Sequence, residues 1–231
     1  MAPEEFDRLA VDKVDFPPLC ALKEGDIAPA LSLPTTDGQL VHSRELLRVG
    51  PVVLTFYRGV WCPYCQRDLK ALAETANVIK TYGASLVAIA HQTVPDSNRK
   101  FEQENNLGFP ILDDTSGIAA AAFGIGWTSE CLREMFEQFS ADTTGFNPEV
   151  AALVPMQARY VIGPDDIIAY ADINVDYRSE PELSAVLLVL QRLQNAISLK
   201  GSPMKREIIR VELLSTYLEN WKAADIGCDP L

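Results

Sequence analysis

Cys62 and Cys65 stand three apart in the run FYRGVWCPYCQRDL, residues 56–69, a spacing at which two thiols can close a disulfide. An apolar, strand-like stretch at residues 51–56 precedes them and a helix-like stretch follows. The pair therefore falls where a strand turns into a helix. Unpaired backbone N–H groups and the positive helix end stabilise a thiolate there. A free thiol with a pKa of ~8.5 is only a few per cent ionised at neutral pH, whereas sites of this kind reach ~3.5–7.5. Arg58, just before the pair, and Arg67, two residues after it, add positive charge. One sulfur can attack an oxidised substrate and its neighbour can resolve the product before overoxidation. The spacing predicts thiol–disulfide redox chemistry.

Simpler roles are open to the same residues. A structural zinc site would need two further Cys or His ligands, and the only histidines, His42 and His91, belong to no metal-like cluster. No metal and no cofactor is expected. His91 ends a predicted strand, on the side of a sheet where active-site loops gather, and could move a proton or simply be satisfied locally. His42 reads as a loop residue. Trp61 and Tyr64 bracket Cys62 and suit either a contact surface for a disulfide substrate or a cover over the core. Cys20, Cys131 and Cys228 are scattered singly, and of these Cys131 lies where a resolving thiol or a plain buried one could stand.

The elements that must position the pair follow from periodicity. Residues 30–33 and 39–41 predict a hairpin around the turn signal Thr36-Asp37-Gly38. Residues 52–57 and 86–90 are apolar enough for strands buried on both faces. Between them, Leu69, Leu72, Ala73, Ala76 and Ile79 recur at helical spacing over residues 63–81, ending at Gly83. Residues 97–106 are helix-compatible, 109–112 extended, and 119–123 a helical turn. Residues 159–162 and 167–171 form a second predicted hairpin, and 181–200 an amphipathic helix. An insertion at 127–150 and a last helix from Pro203 to about Trp221 complete the reading. This order predicts an α/β fold with a central mixed sheet flanked by helices. Three segments are expected: an N-terminal extension (1–24), a central domain (25–200), and a C-terminal helix and tail (201–231).

Composition narrows the partners. A formal charge of −12 disfavours nucleic acid and anionic membrane. No apolar run approaches the roughly 20 residues of a membrane span, and the acidic N-terminus does not resemble a signal peptide. A cytoplasmic protein is the expectation. Five cysteines are too few for a disulfide scaffold in a chain of 231 residues. The apolar faces of the last helix suit packing across the domain or a homodimer contact.

The order of elements with its WCPYC turn resembles the thioredoxin fold. More closely, residues 25–200 resemble the peroxiredoxin-like branch of the AhpC/TSA superfamily. The resemblance is carried by Gly25-Asp26-Ile27-Ala28-Pro29, residues 50–54, the turn at 57–69, Phe109-Pro110-Ile111-Leu112-Asp113-Asp114, Tyr160-Val161-Ile162, Val175-Asp176-Tyr177-Arg178 and Glu180-Pro181. It implies a thiol-dependent peroxidase with Cys65, Cys62 and Arg58 at the catalytic site. An external dithiol reductant (thioredoxin, glutaredoxin or glutathione) would reset the pair.

The family register puts Cys65 at the attacking position and Cys62 where threonine is usual. Thioredoxins and glutaredoxins attack with the first cysteine, which would be Cys62, and both assignments stand. The family's arginine on the later strand is replaced by Gln157. Arg159, two residues on, shares its strand face and could substitute, and Pro155 could supply the cis bond of thioredoxins. These departures leave two alternatives: a disulfide oxidoreductase with weak peroxidase activity, or a non-catalytic redox-sensing or pathway-accessory protein.

Overall fold

The computed structural model describes residues 21–91, 96–126, 155–174 and 181–200. The chain divides into two units, Met1–Gln191 and Arg192–Leu231. The first holds the sheets and the cysteine pair; of the second, only the last turns of the helix ending at Lys200 are described.

A two-stranded antiparallel hairpin, β1 (Ser32–Pro34) and β2 (Leu40–His42), runs into a short helix, α1 (Ser43–Val49). Then come β3 (Val52–Phe56), α2 (Pro63–Thr81), β4 (Ser85–Ala90), α3 (Ser97–Asn105), β5 (Ile111–Asp113) and α4 (Ile118–Ala122). A second hairpin, β6 (Gln157–Ile162) and β7 (Ile168–Asn174), leads to α5 (Leu183–Lys200). The main sheet has the order β5-β4-β3-β6-β7. β3, β4 and β5 are parallel, β6 joins antiparallel to β3, and β7 joins antiparallel to β6. This is the mixed sheet flanked by helices that the pattern predicts.

Every residue of β3 and β6 is buried, as befits adjacent central strands covered on both faces. On one face, Phe56, Phe123 and Tyr160 meet with ring centroids 4.8–6.1 Å apart at the heart of the apolar core. On α2, Cys65, Asp68, Leu69, Leu72, Ala76 and Ile79 form the buried stripe. Proline at the first helical position starts α2, and Gly83 ends it with φ +72° and its N–H on the Lys80 carbonyl at 2.9 Å.

Several details differ from the expectations above, β7 reaching Asn174 and β5 lying at Ile111–Asp113 among them. α1 was not expected, because seven residues hold too little periodicity to stand out. It is anchored from outside, the Ser43 hydroxyl accepting the Leu31 N–H at 2.9 Å. His42 belongs to β2 rather than a loop, and its Nδ1 meets the Ser32 hydroxyl at 2.9 Å. β6 begins at Gln157, two residues early, because buried polar side chains there find partners inside the protein. The insertion at 127–150, Cys20, Cys131, Cys228, residues 175–180 and the predicted last helix lie outside the described residues. Among the described residues no helix is long and apolar enough to cross a membrane.

Candidate active site

The turn between β3 and α2 is held by its own backbone and by one glycine. Tyr57 carries the β3 ladder on, its N–H reaching the Ile89 carbonyl at 3.0 Å. Gly59 has φ +150°, and a Cβ there would lie 2.3 Å from the Trp61 indole nitrogen. The Gln66 side-chain amide donates to the Val60 carbonyl at 2.6 Å, and the Cys62 N–H to the Gly59 carbonyl at 3.2 Å. Cys62 is the N-cap of α2, with extended dihedrals, and Cys65 sits on its first turn. Gly59→Ala should therefore displace Trp61 and loosen the turn. We expect slower thiol reactivity, read by alkylation kinetics, with a melting temperature lowered by a few degrees. Wild-type values of both would contradict the packing described.

Cys62 and Cys65 are both reduced and fully buried. The Arg58 guanidinium is buried with them, its Nη2 lying 3.3 Å from the Cys62 sulfur and 3.5 Å from that of Cys65. The two thiols respond in opposite directions. Cys62 is lowered to about 6, because the Cys65 thiol donates to its sulfur and the Arg58 cation stands beside it, against the opposing effect of burial. Cys65 is pushed well above the ordinary thiol range, first by burial and then by its bond to Cys62. The resting negative charge falls on Cys62, where the family register has threonine.

Arg67 does not join this group. It lies over the Tyr64 ring, 5.3 Å from the centroid. Trp61 and Tyr64 are half-buried against the apolar core, so they cover it as well as flank the pair. His91 is buried, with Nδ1 3.3 Å from the Asp114 carbonyl oxygen, a locally satisfied histidine. Among the described residues no cluster of three or more Cys, His, Asp or Glu could hold a metal.

Gln157 and Arg159 share a face of β6, as strand alternation requires, but Arg159 does not reach the thiols. Its Nη2 pairs with both oxygens of Asp68 at 2.7 and 2.8 Å, and its Nη1 donates to the Pro181 carbonyl at 2.9 Å. The cation at the sulfurs comes instead from Arg58, and Gln157 accepts from it through Oε1 at 3.4 Å. The Gln157 amide nitrogen donates to Asp68 at 3.2 Å. Asp68 was missed from the sequence, although an acidic residue on an apolar helical stripe, three positions after Cys65, was a usable signal. No cis peptide bond occurs among the described residues, and the bond preceding Pro155 begins at a residue outside them.

A dithiol at a helix start, with an internal cation on both sulfurs, inside a thioredoxin-like sheet, has the geometry that thiol-based redox chemistry requires. The chain belongs to the AhpC/TSA family, whose pattern it matches over residues 25–171. A putative peroxiredoxin of Mycobacterium tuberculosis is 32% identical over 104 residues, covering 45% of this chain and 67% of that protein. Peroxiredoxin Bcp of Escherichia coli K12 is 29% identical over 104 residues, covering 45% and 65%. The chain thus spans about two thirds of the length of these curated relatives, which carry the name of a thiol-dependent peroxidase family. The crystal structure of peroxidoxin BcpB from Mycobacterium tuberculosis superposes with a TM-score of 0.57 at 23% identity, covering 74% of this chain and 98% of that one. That of Enterococcus faecalis AhpC gives 0.58 at 14% identity, covering 76% and 94%. These likenesses show the fold.

Proposed function

We propose that the protein is a thiol-dependent peroxidase that works through a Cys62–Cys65 dithiol–disulfide cycle, with Arg58 as the activating cation. The observation that carries this reading is the approach of Arg58 to both sulfurs, 3.3 and 3.5 Å, at the head of α2 in a member of the AhpC/TSA family. The Cys62 thiolate attacks one oxygen of the peroxide, the O–O bond breaks, and the leaving alkoxide or hydroxide takes a proton from solvent. Cys62 is now a sulfenic acid. The Cys65 thiol attacks its sulfur, the disulfide forms and water leaves. An external dithiol (thioredoxin or glutaredoxin) or two glutathione molecules return two electrons and two protons by exchange. A reducing compartment such as the cytoplasm suits that last step.

The lowered pKa of Cys62, against the raised one of Cys65, supports Cys62 as the first nucleophile. The family register favours the opposite order, with Cys65 attacking. Intact masses of Cys62→Ser and Cys65→Ser after one equivalent of peroxide separate the two. With Cys62 attacking, Cys65→Ser gains 16 Da or a sulfenate adduct within seconds, and Cys62→Ser stays unchanged. Oxidation of Cys62→Ser alone would establish the other order. Peroxide consumption by the reduced wild type no faster than by a model thiol, with rapid reduction of a test disulfide, would replace the peroxidase reading with that of a disulfide oxidoreductase.

A further inference from the structure

Resting on the reading of Cys62 and Cys65 as the redox pair, we propose that Asp68 and Gln157 are positioning residues, the carboxylate acting through the amide to hold the Arg58 guanidinium against the two sulfurs. The connection is continuous and buried. Asp68 Oδ2 accepts from Gln157 Nε2 at 3.2 Å, Gln157 Oε1 accepts from Arg58 Nη2 at 3.4 Å, and the same Nη2 reaches both sulfurs. Exposure is 2% for Asp68 and 0% for Gln157 and Arg58.

The chemistry explains why this position holds glutamine. An ionised carboxylate only accepts hydrogen bonds and a guanidinium only donates them. An amide placed between them satisfies both in one orientation alone, nitrogen toward Asp68 and oxygen toward Arg58. A glutamate there would face Asp68 with like charge and would compete with the thiolate for Arg58. A methionine of similar length would fill the space and hold nothing.

Asp68 meanwhile has its charge matched by Arg159, which is itself tethered to the Pro181 carbonyl at 2.9 Å. The carboxylate therefore orients the amide without drawing Arg58 away from sulfur. β6, α2 and the approach to α5 all converge on the turn that bears the pair. Among the described residues, Tyr57 also faces Cys65, buried with its hydroxyl on the Asn98 side-chain oxygen at 3.0 Å. That bond keeps it out of the relay.

The test is alkylation of Cys62 by iodoacetamide against pH in the full chain, read by peptide mass, for wild type, Gln157→Met and Gln157→Glu. Gln157→Met should raise the Cys62 midpoint by about one pH unit, slowing alkylation at pH 6 about five-fold, and Gln157→Glu should raise it further. A merely structural role would lower the melting temperature of both variants and leave the midpoint at its wild-type value, which overturns the proposal. If neither variant folds, the side-chain amide of Gln157 in labelled wild-type protein decides. Slow exchange and a resonance that follows the Cys62 titration support the relay; fast exchange with no such response overturns it. No peroxide enters these measurements. A raised midpoint in a protein that fails to consume peroxide would thus leave the relay standing and remove the peroxidase reading, and an unmoved midpoint in an active peroxidase would do the reverse.

Discussion

Arg58→Met should keep its fold and lose part of its thiol acidity. With Cys62 at about 6, roughly nine tenths of that thiol is ionised at pH 7. Without the cation, the Cys65 hydrogen bond still lowers the thiol, but burial is less opposed and the value rises part of the way toward ~8.5. Alkylation of Cys62 at pH 7 should fall about 3–10-fold, part of the loss being offset by the greater intrinsic nucleophilicity of a more basic thiolate. Peroxide consumption should fall further, by about 10²–10³-fold, because the same guanidinium would stabilise negative charge developing on the departing oxygen.

The substitution also has a thermodynamic signature. Cys62 is depressed from 9.0 to about 6 in the folded protein, so between those values the unfolded chain binds more protons. The stability of the reduced protein must then rise as pH goes from 6 to 9 and is lost again as pH falls through 6. Each pH unit separating the folded and unfolded values contributes about 1.4 kcal/mol, so the rise is on the order of 2–4 kcal/mol. The oxidised protein, having no thiolate, should show no such rise, and Arg58→Met should reduce it. Parallel melting curves for reduced and oxidised wild type across this range would count decisively against an acidic Cys62.

What sequence could and could not foretell follows from the range of the forces involved. α2 was legible end to end, Pro63–Thr81, because proline at its first position, a stripe at three- and four-residue spacing and a terminal glycine all act locally. β3 and β4 were legible because unbroken apolar runs have few other uses. The cysteine spacing and its place at a helix start were equally local. Arg58 could be named as a neighbour of the pair, but its complete burial could not, since a loop arginine is ordinarily solvated. The partners that make its burial tolerable come from elsewhere in the chain. Gln157 meets Asp68 across 89 residues and Arg159 meets it across 91. In one dimension Gln157 looks like a polar interruption before the strand that the pattern starts at Arg159, which is why it starts β6 late. In three dimensions Gln157 and Arg159 are the polar lining of a central strand. The expectation that Arg159 could stand in for the family's arginine respected strand alternation correctly. It failed because Asp68, one helical turn after Cys65, captures that guanidinium first.

The Asp68–Arg159 pair should prove the most sensitive point for stability. Their side chains are 3% and 0% exposed, and the pair spans α2 and β6. Among the described residues, Asp68→Leu would leave a buried guanidinium holding only the Pro181 carbonyl, at a cost of ~3–5 kcal/mol. For a chain of this size that lowers the melting temperature by on the order of 10 °C. Removing both charges is a different matter. Asp68→Leu with Arg159→Met replaces an ion pair by apolar side chains of similar volume, which is often neutral or stabilising. The double variant should melt within a few degrees of wild type. It would nevertheless lack the carboxylate that orients Gln157, so its Cys62 should still titrate above the wild-type value. Recovery of stability without recovery of thiol acidity would separate the two duties of Asp68, that of matching Arg159 and that of directing Gln157. Recovery of both together would mean that the carboxylate serves the ion pair alone and that Arg58 is held at the sulfurs by the turn itself.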